Sequence, residues 1–442
     1  MSELPPGWAH APASEVLEAS IGGIWGKEAG TGEVDAVVVR VADFRDDGAI
    51  NFDSAPLRSM TARQLASREL RVGDILLEKS GGGPTKPVGR VVRMRPAVGP
   101  VVPTNFAQLL RPVDRLIAPG FLFWWLWKSH ADGTTAEFQR ATTNIRNLRT
   151  QDYLARGVPL PPLNEQRRIV AAIEEHLSRL DAGDRSLAPA LQRIDLIRSA
   201  LITAMVEHDD WPRVPWSEAG RSQNGRAFPS RHYSATGIRL LRPGNLLASG
   251  RIEWNGANTR LLPDRYADEY PRYLVGEGEV VMNLTAQSLK DEFLGRVCVT
   301  GPGERCLLNQ RIARLTPIEA DPRFIVYAFK SRRFREFVNS LSTGSLIQHM
   351  FTSQLGEYEI PVPPLEEQRR IVAEVEERLS AIDALRAAIE RAQRRSAALR
   401  RAVLERAFRG ELVPQDPSDE PAETLLARIR AEAAIAAKPA GR

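Results

Sequence analysis

Two groups of polar residues in this chain carry chemistry that a protein core does not need. Residues 78–86 read Glu78-Lys79-Ser80-Gly81-Gly82-Gly83-Pro84-Thr85-Lys86. Three successive glycines let a backbone approach an anion closely, and Lys79 and Lys86 add charge, so this loop suits a phosphate. It is not a nucleotide-binding P-loop, because the spacing to a Lys-Ser/Thr pair is absent. The second group is Asn283, Thr285, Gln287, Ser288, Lys290, Asn309, Gln310, Arg311, Gln348 and His349. Asn and Gln amides can bond an adenine edge through two hydrogen bonds, and Arg can do the same for guanine. Two Thr/Ser/Asn loops join them: Ala141–Asn147, with Asn144 and Arg146, and Ser342–His349, with Ser345. Loops are polar in most proteins, so each residue is a candidate DNA contact and no more.

No catalytic set accompanies these residues. An amino-methyltransferase would need an Asn/Asp-Pro-Pro-aromatic segment, but the Pro-Pro pairs here are followed by Gly7, Leu163 or Leu365. The six histidines show no metal spacing, and no Gly-x-Ser-x-Gly elbow occurs. Cys298 and Cys306 are too few for a disulfide framework or a four-thiolate zinc site, and they suit a reducing cytoplasm. The expectation is a chain with no catalytic residues, no metal and no cofactor of its own.

The elements that position the loops come in two copies. The chain has 442 residues and a formal net charge of +5, compatible with basic faces on balanced domains. Residues 158–182 read VPLPPLNEQRRIVAAIEEHLSRLDA, and residues 360–384 read IPVPPLEEQRRIVAEVEERLSAIDA; 17 of 25 positions are identical. Weaker matches recur at similar offsets. Trp8 pairs with Trp211, Gly73 with Gly278, Gly89-Arg90-Val91 with Gly295-Arg296-Val297, and Lys128-Ser129 with Lys330-Ser331. The chain is therefore read as one unit repeated.

Each repeat opens with prolines and continues as an amphipathic helix. In the second copy the apolar or small residues fall at Val375, Leu379, Ile382, Leu385, Ile389, Ala392, Ser396, Leu399 and Val403. The first copy matches with Ile173, Leu177, Leu180, Gly183, Leu187, Ala190, Ile194, Ile197 and Leu201. Both predict a coiled-coil seam with one stutter, the two helices packing on each other. Gly183 and Pro189 predict a kink in the first helix. Residues 1–155 and 208–358 read as mixed α/β, with strands in Val34–Val41, Gly73–Leu77, Val88–Met94 and Glu279–Met282. The apolar run Phe121–Trp127 is far shorter than the roughly 20 residues a membrane span needs and reads as a buried helix. The N-terminus shows no secretory pattern, so a cytoplasmic location is expected. The expected boundaries are 1–157, 158–207, 208–359, 360–409 and a tail, 410–442, packing near the N-terminal half.

PLPPLNEQRRIV and PVPPLEEQRRIV, with the block Ala407–Gln415, Asp416-Pro417 and Leu425–Arg430, resemble type I restriction-modification DNA specificity subunits. Residues 73–92, 282–297 and 308–315 are similar to segments of that family's target-recognition domains. The resemblance implies two α/β target-recognition domains, each reading half of a split DNA site, held apart by two antiparallel helices with pseudo-twofold symmetry. It implies two methyltransferase subunits docked on this chain, with restriction/translocase subunits joining them. Leu163, Glu165, Gln166, Arg167, Arg168, Leu365, Glu367, Gln368, Arg369 and Arg370 are the candidate docking and spacer residues. S-adenosylmethionine, ATP and Mg²⁺ would belong to the partners. Met205-Val206-Glu207-His208 departs from the pattern by lacking the Gly-Glu-Leu-Val-Pro-Gln ending that follows the second helix. The alternatives are a similar subunit of another restriction or phage-defence system, a repressor or architectural DNA binder, and a coiled-coil structural protein.

Overall fold

The computed structural model describes residues 4–81, 87–97, 99–141, 145–287, 292–341 and 348–436. Gly82, Gly83, Thr85, Lys86, Asn144, Ser288, Lys290 and Ser345 lie outside the described residues. The chain divides into two compact units: Met1–Arg185 with Gln393–Arg442, and Ser186–Ala392.

In the first unit four antiparallel strands run in the spatial order Leu17–Gly22, Ala107–Pro112, Ile75–Glu78, Val91–Arg93. The sheet is buried on both faces. Ile75, Leu77 and Val91 join a core with Phe121, Leu122, Trp124 and Trp125 of the helix Pro119–Ala131. Leu76, Val92 and Leu109 point the other way, into a core with Val39, Phe44 and Val101. Burial on both sides explains why Ile75-Leu76-Leu77 is continuously apolar instead of alternating. Val34–Val39 and Val101–Pro103 pair in parallel within a second four-stranded sheet, Val37 opposite Val101. The predicted strands and the buried aromatic helix are all present.

The second unit uses the same strand order in its four-stranded antiparallel sheet: Gly220–Asn224, Ile312–Pro317, Val280–Asn283, Val297–Val299. Its two faces divide in the same way. Val280, Met282 and Val297 pack with Phe324 and Phe329, whereas Val281, Cys298 and Ile312 pack with Leu241 and Leu246. Ile238–Leu241 and Cys306–Leu308 are the parallel pair, Arg239 opposite Cys306. Burial pushes both thiols up to about 12, so Cys298 and Cys306 are inert core residues.

Two helices of 44 residues, Leu163–Val206 and Leu365–Phe408, follow the proline-rich segments, and each contributes to both units. The first continues through Gly183 and Pro189 without a break. The seam differs from the expected one. Leu385, Leu399 and Ile197 are 54%, 44% and 55% exposed, so they lie off it. The less exposed stripe on the second helix is Val375, Leu379, Ile382, Arg386, Ile389, Gln393, Ser396, Arg400 and Val403. Its steps alternate strictly four and three, and no stutter is needed.

Polar partners explain why charged residues occupy that stripe. In the first unit Ser396 donates to Asp184 at 2.9 Å, and Arg400 bonds Asp184 at 2.8 Å and Asp181 at 2.6 Å. In the second, Arg386 bonds Asp195 at 2.6 Å, and Arg198 pairs with Asp383. Within each unit the partner number falls on one helix as it rises on the other, so the two segments run antiparallel. Partly exposed ion pairs contribute at most about 1 kcal/mol each, so these specify register more than stability.

The chain after the second helix packs on the first unit. The Ala422 N–H donates to the Gly7 carbonyl at 2.9 Å, Arg430 pairs with Glu15 at 2.6 Å, and Arg168 pairs with Asp419 at 2.7 Å. Gly410 has a φ of +73°, and a Cβ there would lie 2.6 Å from the Pro5 ring, so that turn requires glycine.

In each unit one glutamine amide ties the long helix to the aromatic helix. Gln166 Oε1 accepts the Ala118 N–H at 2.8 Å, beside the first turn of Pro119–Ala131, while Nε2 donates to the Leu116 and Pro161 carbonyls at 3.1 and 2.9 Å. Gln368 Oε1 accepts the Asp321 N–H at 2.8 Å, just before the helix Pro322–Ala328, and Nε2 donates to the Pro363 carbonyl at 2.8 Å. Gln166→Leu keeps the bulk but strands three buried backbone groups. It is expected to cost about 1–3 kcal/mol or more, read as a lower urea midpoint for the first unit, with the second unit's transition unmoved.

Candidate nucleic-acid interface

Beyond the C-terminal end of an inner strand of each four-stranded antiparallel sheet the structure builds a short ribbon backed by a tight turn. In the first unit Ser80–Gly81 pairs with Arg146–Leu148, which pairs with Gln139–Ala141. Gly81 stands opposite Arg146 and Ser80 opposite Asn147, and Ser80 Oγ donates to Asn147 Oδ1 at 2.7 Å. The Lys79 and Ser80 N–H groups both donate to the Phe106 carbonyl, at 3.0 and 3.2 Å, and the Leu148 N–H donates to the Lys79 carbonyl at 2.8 Å. Beneath them Glu78, buried, is held by Arg90 at 2.9 Å. That pair fixes the strand end from which Lys79 projects.

In the second unit Thr285–Ala286 pairs with Gln348–His349, Thr285 opposite His349. The Leu284 N–H donates to the Arg311 carbonyl at 2.9 Å, and the Met350 N–H to the Leu284 carbonyl at 3.0 Å. These are the same two connections as in the first unit, with Leu284 in the place of Lys79 and Arg311 in the place of Phe106. The structure therefore brings Thr285, Gln287, Asn309, Gln310, Arg311, Gln348 and His349 to one ribbon and turn, and Lys79, Ser80, Gly81 and Arg146 to another.

Gln287, Gln310, Arg311 and His349 are exposed; Lys79, Ser80, Gly81, Arg146, Thr285 and Asn309 are half-buried. Asn283 requires correction as a base contact. It is fully buried, its amide donates to the Thr285 and Phe293 carbonyls at 2.7 and 2.8 Å, and its Oδ1 accepts the Thr285 N–H. It shapes the turn after its strand. Gln348 is also buried, at 8% exposure.

The docking residues divide similarly. Glu165, Gln166 and Gln368 are buried and bonded within their own units, so they are not free to meet a partner. Glu165 accepts the Trp8 indole N–H at 3.1 Å, and burial raises its carboxyl above the ordinary value. At the matching position Glu367 bonds Arg370 at 2.7 Å, which lowers its carboxyl instead. Arg167, Leu365, Arg369 and Arg370 are exposed; Leu163, Arg168 and Glu367 are half-buried.

Two glycines not singled out from the sequence make both turns possible. A Cβ on Gly23 would lie 2.1 Å from the Thr104 carbonyl oxygen, and one on Gly225 would lie 2.2 Å from that of Asn309. Other neighbours were missed because aromatic residues read as core. Trp25 and Phe106 are 40% and 42% exposed beside the first turn. Arg226 lies over the Tyr270 ring at 4.5 Å, next to Asn309 in a parallel bridge. The sequence Asn224-Gly225-Arg226 was the available signal for the last of these. Among the described residues no group of three or more His, Cys, Asp or Glu could hold a metal ion, and no helix is long and apolar enough to cross a membrane.

The family model for the type I restriction modification DNA specificity domain matches residues 289–398. Over 98% of its length the chain is 24% identical to the type I restriction enzyme StySPI specificity subunit of Salmonella potsdam, covering 97% of that protein. Over its full length it is 25% identical to the EcoKI specificity subunit of Escherichia coli K12, covering 98% of that protein. The chain thus contains a match to that specificity domain and is similar over nearly its whole length to type I restriction enzyme specificity subunits. A chain solved in work on assembly and conformational transition of a type I R-M system shares the fold of this one. Its TM-score is 0.73 at 22% identity, over 93% of this chain and 100% of that one.

The glycine under each turn yields a steric test. Gly225→Ala is expected to destabilise the second unit by about 1–3 kcal/mol, because backbone must move. Gly256→Ala, with nothing within 4 Å of its added Cβ, is expected to stay within about 0.5 kcal/mol. Thermal unfolding of both variants checks the contrast.

Proposed function

We propose that this protein is the DNA-recognition subunit of a type I restriction-modification complex and performs no chemistry itself. The observation that carries the reading is the repeated ribbon and turn. Two units build the same backbone connections from different side chains, as two readers of two different sequences would. On this reading residues 1–157 and 208–359 are target-recognition domains, each reading one half of a bipartite, asymmetric site. The paired helices of 158–207 and 360–409 act as an antiparallel coiled coil that spaces them with pseudo-twofold symmetry, and 410–442 closes on the N-terminal half. Two methyltransferase subunits dock on this scaffold, restriction/translocase subunits join them, and S-adenosylmethionine, ATP and Mg²⁺ are bound by those partners in the cytoplasm. Arg167, Leu365, Arg369 and Arg370 remain accessible for docking.

The purified chain alone is expected to leave DNA unmethylated and uncut. With its methyltransferase subunit it should direct adenine methylation to a split site, read by methylome sequencing. Exchanging residues 210–358 for the region of another such subunit should change one half-site and leave the other. Methyl transfer by the isolated chain, or a change in both halves, overturns the reading.

Lys79 supplies a second test, because it projects from the rigid Glu78–Arg90 pair at the ribbon. Lys79→Ala is expected to weaken binding to all sequences alike and to reduce the slope of log affinity against log salt by about 0.9. Titration at several salt concentrations measures this; loss of discrimination at a single base would assign Lys79 to base reading.

A further inference from the structure

We infer that Phe106 and Arg311 are equivalent reading positions, and that Phe106 selects a thymine through its C5-methyl group. The inference rests on the reading of both ribbons as DNA-facing. Two turns, Thr104–Ala107 and Asn309–Ile312, are closed by the same bond: the Ala107 N–H donates to the Thr104 carbonyl at 2.9 Å, and the Ile312 N–H to the Asn309 carbonyl at 2.9 Å. Each is crossed by a glycine that only a missing side chain permits, Gly23 or Gly225. Those glycines anchor alike, Gly23 N–H to the Ala107 carbonyl at 3.1 Å and Gly225 N–H to that of Ile312 at 2.9 Å. The third residue of each turn receives the ribbon's N–H, and it is Phe106 in one unit and Arg311 in the other.

Both side chains are exposed, and they differ in the chemistry they offer. Arg311 matches the two acceptors of guanine. Phe106 has no polar atom on its side chain, and folding leaves it 42% exposed among Lys79, Ser80 and Asn147. It borders a recess of about 450 Å³ with Trp25, Val41, Ala42 and Asn105, and the Arg58 guanidinium lies 4.8 Å above the Trp25 ring. An exposed apolar side chain has one apolar counterpart in the major groove: the thymine methyl, the only apolar substituent that the four bases present there. Contact with it removes both from water.

The experiment uses the complex of the full chain with its methyltransferase subunits, on duplexes carrying its methylome-derived site. Each thymine is replaced singly by deoxyuridine, which lacks only the methyl group. In the half-site that changes when residues 1–157 are exchanged, one replacement should weaken binding about fourfold, the worth of one buried methyl. Phe106→Ala should abolish that sensitivity while leaving the other half-site's preferences and the melting temperature unchanged. Arg311→Ala should cost about 5- to 150-fold in discrimination at one guanine of the other half-site. A first half-site indifferent to every replacement, or a sensitivity that survives Phe106→Ala, overturns the inference. Those results still leave sequence-specific methylation in place, whereas failure of the underlying reading would leave no methylated site at all.

Discussion

The bond on which each unit depends is a buried glutamine amide. Gln166 and Gln368 sit at the first turn of a long helix, where a proline-rich segment has just ended. Each amide accepts a backbone N–H next to an aromatic helix and donates to a proline carbonyl on the approach to its own helix. One planar group thus fixes the helix, its approach strand and the aromatic helix together. The aromatic helix in turn covers one face of the sheet whose inner strand leads into the ribbon. A hydrophobic contact could hold these parts near one another, but it is non-directional; an amide bonded on both its oxygen and its nitrogen sets an angle. That is a physical reason for the sharp identity of the two Glu-Gln-Arg-Arg segments, which sequence reasoning had assigned to partner docking.

What was legible in the sequence was whatever burial alone determines. Ile75-Leu76-Leu77 and Val280-Val281-Met282 read correctly as strands, and Phe121–Trp127 as a buried helix, because apolar runs of those lengths have few other fates. The helices were legible too, but not their seam. Looking for apolar residues placed Leu385 and Leu399 inside, yet the helices instead turn Arg386, Gln393, Ser396 and Arg400 inward. The partners that make this acceptable, Asp181, Asp184 and Asp195, lie about 200 residues away in sequence. A pattern read along one strand of chain cannot see such a partner, so it substituted an irregular apolar seam for a regular polar one.

The same blindness governed the interface. Selecting polar loop residues as candidate contacts gathers Ser80, Thr285, Gln310, Arg311 and His349, which the structure places at the two ribbons and turns, together with the buried Asn283. Asn283 is polar because it must terminate a strand inside the protein, where the Thr285 and Phe293 carbonyls would otherwise lack donors. Conversely Phe106 was passed over because aromatic residues usually fill cores. Side-chain type predicts burial only on average; hydrogen-bond partners decided both cases.

The two turns show how one backbone can support different exposed side chains. What repeats between the units is what the backbone requires: a glycine under a carbonyl, an N–H onto the third residue of the turn, a ribbon strand bonded beside it. None of these bonds uses the side chains of Phe106 or Arg311. The side chains are consequently free to differ without disturbing the fold, because their exposure means that little packing energy depends on their shape. Positions constrained by their neighbours behave oppositely: the buried Gln166 and Gln368, and the half-buried Gly23 and Gly225, are the same residue in both units because a different one would leave a group unpaired or a carbonyl overlapped. Repetition of buried groups and divergence of exposed ones at equivalent backbone positions is the division that a two-part reader needs. On the proposed reading, sequence-dependent contacts fall to the exposed residue of each turn and ribbon, while the polar groups beneath hold that residue still.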